Sequence, residues 1–242
     1  MKKNTALLFC ASFFATSSSV AYTDNQNLQT QVEMVQAPQL VTRLRKKEST
    51  IRQFRDASDD LAYVLASATI KYIPVKEIEI ETLLAPTIGH EYKNNTILVP
   101  ILRSGETLLH PFLQFFKKAT VGTIGLERDE KTAEASTYYE KFPKINPDDT
   151  IIILDPMLAT GGSSGQTIDY VIKKGAEEEN IIFVGVIAAT AGINHILSKF
   201  PKIKKIIVAA VDIKLNDKSF IVPGLGDYGD RYFGTNDYEN KS

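Results

Sequence analysis

Apolar residues along this chain arrive in short dense runs, each ended by a small-residue or charged turn. Ile97–Leu102 reads I-L-V-P-I-L, Ile151–Leu154 reads I-I-I-L, and Val121–Leu126, Ile181–Ala189 and Ile206–Val211 are similar. Runs this short, without polar alternation, predict strands buried on both faces. Other stretches carry the helical period. In Ser49–Tyr72, Phe54, Leu61, Leu65 and Ala68 recur at that spacing and the pattern stops before Pro74; helices are also predicted over Thr107–Lys117, from Thr167 to Lys173, and over Ile193–Phe200. Glu77–Glu81 alternates and predicts a half-exposed strand. Strands alternating with helices imply an α/β fold, a parallel β-sheet flanked by helices on both faces. Ligands of such sheets sit at the carboxyl ends of the strands. Ile221–Thr235 is rich in glycine and aromatics, which predicts neither a regular helix nor a central strand but an irregular packed hood.

The most informative turn follows Ile151–Leu154: Asp155, Pro156, Met157, Leu158, Ala159, Thr160, Gly161, Gly162, Ser163, and then a helical pattern. Proline ends the strand because it cannot donate to the ladder. Glycines let main-chain N–H groups approach phosphate oxygens, and a helix start adds unpaired donors and partial positive charge. A carboxylate at the strand end can accept hydrogen bonds from vicinal ribose hydroxyls. Such a turn suits a ligand with both a sugar and a phosphate. It has neither the Gly-Lys-Ser/Thr of a P-loop nor the G-x-G-x-x-G of a dinucleotide fold; a glycine-rich turn with no ligand is the competing reading.

Two further strands end on the same edge. Ile97–Leu102 leads into Arg103-Ser104-Gly105, and Val121–Leu126 into Glu127-Arg128-Asp129-Glu130-Lys131-Thr132. Arginine at such a turn can clamp a phosphate in bidentate fashion; a surface ion pair is the alternative. Arg103, Arg128 and Asp155 can therefore meet at one site.

Composition narrows the class. The chain has 242 residues, is 43% hydrophobic and 24% charged, and carries a formal net charge of −1. That length allows one domain with a real core, and the balance argues against a protein built to coat nucleic acid. No apolar run reaches a membrane span. Residues 1–21 form a signal-like leader, with Lys2 and Lys3, an apolar Ala6–Ala15 and Ser19-Val20-Ala21; an uncleaved leader is the other reading. Residues 22–37 read as a flexible polar linker and 38–242 as the domain. The basic cluster Arg43, Arg45, Lys46, Lys47 reads as a solvated face. The only cysteine, Cys10, lies in the leader. His90, His110 and His195 are scattered, so no protein metal site is expected.

D-P-M-L-A-T-G-G-S resembles the phosphoribosyl-pyrophosphate (PRPP) loop of phosphoribosyltransferases, in the wording found in uracil phosphoribosyltransferases. V-P-I-L-R-S-G resembles that family's pyrophosphate-binding turn, with Ser104 where alanine is frequent. R-D-E-K-T resembles its R-D-E-E-T loop, and P-G-L-G-D with G-D-R-Y-F-G-T resembles its uracil-binding hood. Thr190-Ala191 stands where the family commonly has proline and then Glu or Gln.

The resemblance implies a type I phosphoribosyltransferase fold and conversion of uracil and PRPP to UMP and pyrophosphate. It implies PRPP contacts from Arg103, Arg128, Asp155 through Ser163, and Asp227. Uracil contacts come from Ile221, Gly226, Asp227 and Tyr228, the last standing where many members have alanine. Mg2+ is implied as an ion held mainly through PRPP, along with homo-oligomers and, in some members, GTP activation. A cytoplasmic location follows from the substrate, or export if the leader is cleaved. Two rivals share the fold: an RNA-binding regulator and a catalytically silent nucleotide-binding relative.

Overall fold

The computed structural model describes residues 30–128 and 135–235. The signal-like leader, the first part of the linker and the Asp129–Thr132 loop lie outside the described residues.

In chain order the elements are β1 (Val32–Met34), α1 (Pro38–Arg45), α2 (Ile51–Ile70), β2 (Val75–Glu81), β3 (Pro86–Tyr92), β4 (Thr96–Leu102), α3 (Glu106–Phe115), β5 (Thr120–Val121), β6 (Thr123–Arg128) and β7 (Ala135–Lys141). Then follow β8 (Thr150–Leu154), β9 (Met157–Leu158), α4 (Gly162–Lys173), β10 (Ile181–Val184), β11 (Ile187–Ala189), α5 (Thr190–Lys199), β12 (Lys205–Val208), β13 (Ala210–Asp212), β14 (Lys214–Leu215), β15 (Ile221–Val222) and α6 (Tyr228–Phe233). The main sheet runs β1-β12-β10-β8-β4-β6-β7, with β5 also on β4. It is parallel except for β7, which returns antiparallel on β6.

The expected α/β architecture is therefore present. Strand β8 shows why its residues are uniformly apolar: Ile152 and Leu154 enter one core cluster, while Ile151 and Ile153 enter the other. The first cluster is closed by Phe54, Leu61 and Leu65 of α2 and Leu108 and Phe112 of α3; the second by Ile168 and Val171 of α4 and Ile193 and Ile196 of α5. Helix α2 starts where the sequence offers a capping box, with the Thr50 side chain accepting from Gln53 N–H and the Gln53 side chain from Thr50 N–H.

Several expectations are corrected. Val32–Met34, placed in the flexible linker, is an edge strand in register with Ile206–Val208; strand pairing there supplies the order that local composition does not. The runs read as single strands at Ile181–Ala189 and Ile206–Val211 each break in two. The break lies level with Pro156, whose carbonyl accepts from Val186 and Ile187 N–H at 2.9 and 3.0 Å. With no N–H of its own, Pro156 cannot continue the ladder. The chain beyond the break forms a second small parallel sheet, β13-β11-β9. Helix α4 begins at Gly162, five residues before the expected Thr167. The C-terminal hood does hold a short helix, α6, because only Gly229 lies inside it, Gly226 and Gly234 flank it, and Asp227 caps it by accepting from Asp230 N–H at 2.8 Å.

Candidate active site

The break between the two sheets leaves Asp155 at the carboxyl end of β8, only 7% exposed. Two hydroxyls face its carboxylate: Ser104 Oγ donates to Oδ1 at 3.4 Å and Ser164 Oγ to Oδ2 at 3.5 Å. Burial pushes the carboxyl up to about 7, opposed by hydrogen bonds from the Met157 main chain and from both serines. Near neutral pH this group sits at the point where it changes between hydrogen-bond donor and acceptor, a poise common at functional sites.

The Arg103 turn reaches Asp155 because Gly105 packs on the end of β8. A Cβ at Gly105 would lie 2.2 Å from the Leu154 carbonyl oxygen, so no larger residue fits. Arg103 is half-exposed and its Nη2 donates to Asp230 Oδ1 at 2.7 Å. Its guanidinium also lies over the Phe233 ring, 5.1 Å from the centroid. Asp230 is held below its usual carboxylate range by the Thr235 hydroxyl first and by Arg103 next, against its partial burial.

The loop after β9 leads through Gly161 into α4. Gly161 caps α4 at φ +84°, a left-handed conformation that L side chains rarely adopt. That conformation directs the first turn of α4, Gly162 and Ser163, toward the same edge as Asp155. Thr160 Oγ1 accepts from Gly162 N–H at 3.4 Å. The other residues of the turn are less available. Pro156 is buried and its carbonyl is taken by Val186 and Ile187, while Met157 and Leu158 pair with Ile187 and Ala188 and the Leu158 side chain is in the core. Ala159 is half-buried beside the loop.

The hood lies over the Arg103–Ser104 turn. A Cβ at Gly229 would be 3.5 Å from Arg103 Nη2 and 3.7 Å from Ser104 Cβ. Gly226 and Asp227 are exposed, so their main chain is accessible; Ile221 is buried and pairs with Leu215. The Tyr228 side chain points away into the core, only 1% exposed. There it packs edge-on against Phe54 and hydrogen-bonds Ser58. Any contact from Tyr228 to a base is thus through its main chain. Arg128 ends β6, but its side chain lies outside the described residues.

Sequence reasoning missed Ser104 and Ser164 as the partners of Asp155, Asp230 as the partner of Arg103, and the pairing of Arg45 with Asp212. Asp212 was also missed, although it ends a strand on the carboxyl edge just as Asp155 does. A cleft of about 830 Å³ with a mixed lining, including Tyr92, Phe115, Phe116, Lys93, Asn95 and Asp148, lies at the other end of the sheet, near the starts of β4 and β8. It contains none of the residues of this site.

A parallel sheet whose carboxyl edge gathers a glycine-capped helix start, a buried acid and a basic turn has the form of a phosphoribosyltransferase. The family model described as uracil phosphoribosyltransferase matches residues 31–235. A uracil phosphoribosyltransferase of Mesoplasma florum is 40% identical over 81% of this chain and 93% of its own length. One of Thermosipho melanesiensis is 42% identical with the same shares. The solved structure of the AQ2163 protein from Aquifex aeolicus aligns with a TM-score of 0.76 and 32% identity, covering 86% of this chain and all of the other. The chain belongs to the uracil phosphoribosyltransferase family.

Proposed function

We propose that this chain transfers the 5-phosphoribosyl group of PRPP to N1 of uracil, giving UMP and pyrophosphate. The bond from ribose C1 to pyrophosphate breaks, the N1–C1 bond forms, and the N1 proton is lost. Positive charge develops on the ribose and negative charge on the leaving group, so the protein acts by positioning and electrostatics. The observation that carries this reading is the contact chain from the Asp155 carboxylate through Ser104 to Arg103 and the hood. In this reading Asp155 holds the ribose hydroxyls and Arg103 and Arg128 take the pyrophosphate. Thr160, Gly161, Gly162 and Ser163 hold the 5′-phosphate, with Pro156 to Ala159 shaping the approach. The main chain of Ile221, Gly226, Asp227 and Tyr228 orients uracil, and Asp227 also faces PRPP.

Mg2+ fits this site as an ion carried by the substrate. Among the described residues no group of three or more His, Cys, Asp or Glu is clustered for it, and Asp155 would present a carboxylate beside the ribose hydroxyls it is proposed to hold. When bound, the ion neutralises charge on the pyrophosphate.

We also propose a homo-oligomer. The β2–β3 hairpin stands out from the body with exposed Ile80 and Ile88, and Leu83 and Leu84 at its tip are fully exposed; a second copy of the chain covers such an arm. GTP activation remains part of the proposal without an assigned site. Among the described residues no helix is long and apolar enough to cross a membrane. We place the activity in the cytoplasm, with PRPP; a purified native chain starting at Tyr22 would instead mean export. The function itself is tested by incubating the protein with Mg2+, PRPP and labelled uracil. UMP is the expected product, and folded protein that makes none would overturn the proposal.

A further inference from the structure

Arg45 belongs to a basic cluster that reads as a solvated face, yet it is the most tightly held of that group. Its guanidinium grips Asp212 in bidentate fashion, Nη1 to Oδ2 at 2.8 Å and Nη2 to Oδ1 at 2.7 Å. Asp212 is only 7% exposed, so the pair is shielded from water on the acid's side, where ion pairs have geometric authority.

Both partners also hold the same hood residue. Arg45 Nη1 donates to the Gly224 carbonyl at 2.9 Å, and Gly224 N–H donates to Asp212 Oδ2 at 2.8 Å. The two main-chain polar groups of Gly224 are thus fixed by one ion pair that spans the end of α1 and the end of β13. Gly224 sits at φ +59° in a turn so tight that a Cβ would lie 2.1 Å from the Ile221 carbonyl oxygen. Ile221 precedes this clamp and Gly226 and Asp227 follow it. Those are the residues whose main chain is proposed above to orient uracil.

A second arginine ties the neighbouring segment down. Arg231 Nη1 donates to the Leu225 carbonyl at 2.6 Å and its Nη2 to the Lys46 carbonyl at 2.6 Å. The hood is therefore bolted to α1 and the residues just after it from both sides of Leu225, while its outer part contacts Arg103.

We propose that Arg45 and Asp212 are positioning residues for the nucleobase: the pair fixes the Gly224 turn, and through it the height and register of the main chain that reads uracil. The pair touches no substrate. The inference rests on the reading of the hood as the uracil site. PRPP is held mainly by other elements, the β8–α4 turn and the Arg103 turn, with Asp227 its one proposed contact in the hood, so a loosened clamp should weaken uracil recognition far more than PRPP binding. A displacement of about 1 Å in a positioning segment has large kinetic effects in enzymes.

The test uses the full chain. Arg45→Lys keeps the charge but cannot grip both carboxylate oxygens and Gly224 together. Asp212→Asn keeps an acceptor for Gly224 N–H but loses the charged pair. Steady-state kinetics with each substrate varied, together with the thermal midpoint, would be measured for both. The expected result is a uracil KM raised about tenfold or more, in line with the loss of a hydrogen bond to a charged group. PRPP KM should stay within about twofold of wild type. A Gly226→Ala variant, which alters the reading segment itself, tests the underlying assignment. If Gly226→Ala raises uracil KM and neither clamp variant does, the positioning role is wrong. If Gly226→Ala leaves uracil KM unchanged, the hood is not the uracil site and the premise fails. If the clamp variants raise both KM values in parallel with a fall in thermal midpoint, the pair is a purely structural tie and the proposal is overturned.

Discussion

Arg103 and Asp230 form an ion pair at 2.7 Å between the turn after β4 and the hood helix. The arginine proposed to take the pyrophosphate is therefore already oriented by an acid of the hood, with the Phe233 ring beneath it. Pre-orientation of a charged side chain lowers the cost of engaging its ligand. Arg103→Ala should reduce turnover by about 100-fold or more, the scale of losing one transition-state charge contact. Because the pair is half-exposed, its loss should change stability by less than about 1 kcal/mol. Initial rates of UMP formation and a thermal melt check both halves; a collapse of folding would instead give Arg103 a structural role.

Asp155 predicts a pH dependence. Burial raises its folded value to about 7, well above the ordinary value near 3.8 in an unfolded chain. The folded protein thus binds the proton more tightly, and this contribution to stability is fully present below the unfolded value. It fades as pH rises from about 4 through about 7. Asp155→Asn has no charge to bury, so its thermal midpoint should rise relative to wild type between pH 5 and pH 8. A constant difference across that range would contradict the burial argument. PRPP affinity should fall on acidification through neutrality, as the carboxylate that accepts from the ribose is protonated.

Tyr228 gives a test of core against pocket. Its hydroxyl is buried with Ser58 as partner, and burial pushes the phenol well above its usual range. Tyr228→Phe strands the Ser58 hydroxyl in the core and should cost about 1–2 kcal/mol of stability. Denaturant unfolding measures this. A variant as stable as wild type would show that the ring is not packed as described.

The hairpin arm makes the oligomer testable. Leu83→Asp with Leu84→Asp places charge on the two fully exposed tip leucines without touching either core cluster. If the arm docks on a second copy, the doubly substituted protein should move to a lower mass in light scattering, because a charge buried at an apolar contact is strongly unfavourable. An unchanged mass would remove the arm from the interface.

The site was legible in the sequence to the extent that its chemistry is local. Asp155, Thr160, Gly161 and Gly162 stand next to one another, and a proline, two glycines and a buried strand fix their turn without help from distant residues. The residue types of the turn Arg103, Ser104 and Gly105 were legible for the same reason, although its packing on Leu154 and the Arg103–Asp230 pair are long-range. What failed was reading orientation and partnership. A basic cluster on a short helix gives no sign that Arg45 faces inward while Arg43 meets Asp60 across an exposed surface. The tail's glycines hid a helix because only their positions relative to the Asp227 cap decide where it starts and stops.

By itself, then, the chain determined the run of buried strands, the order of the turns on one edge, and the residue types offered there, since these follow from short-range apolar period and backbone conformation. Tertiary structure decided which way Tyr228 points, how two apolar runs split at the level of Pro156, and which charges meet. Arg45 and Asp212 are 167 residues apart in the chain. A contact at that separation depends on how every intervening element packs, and no local pattern encodes it.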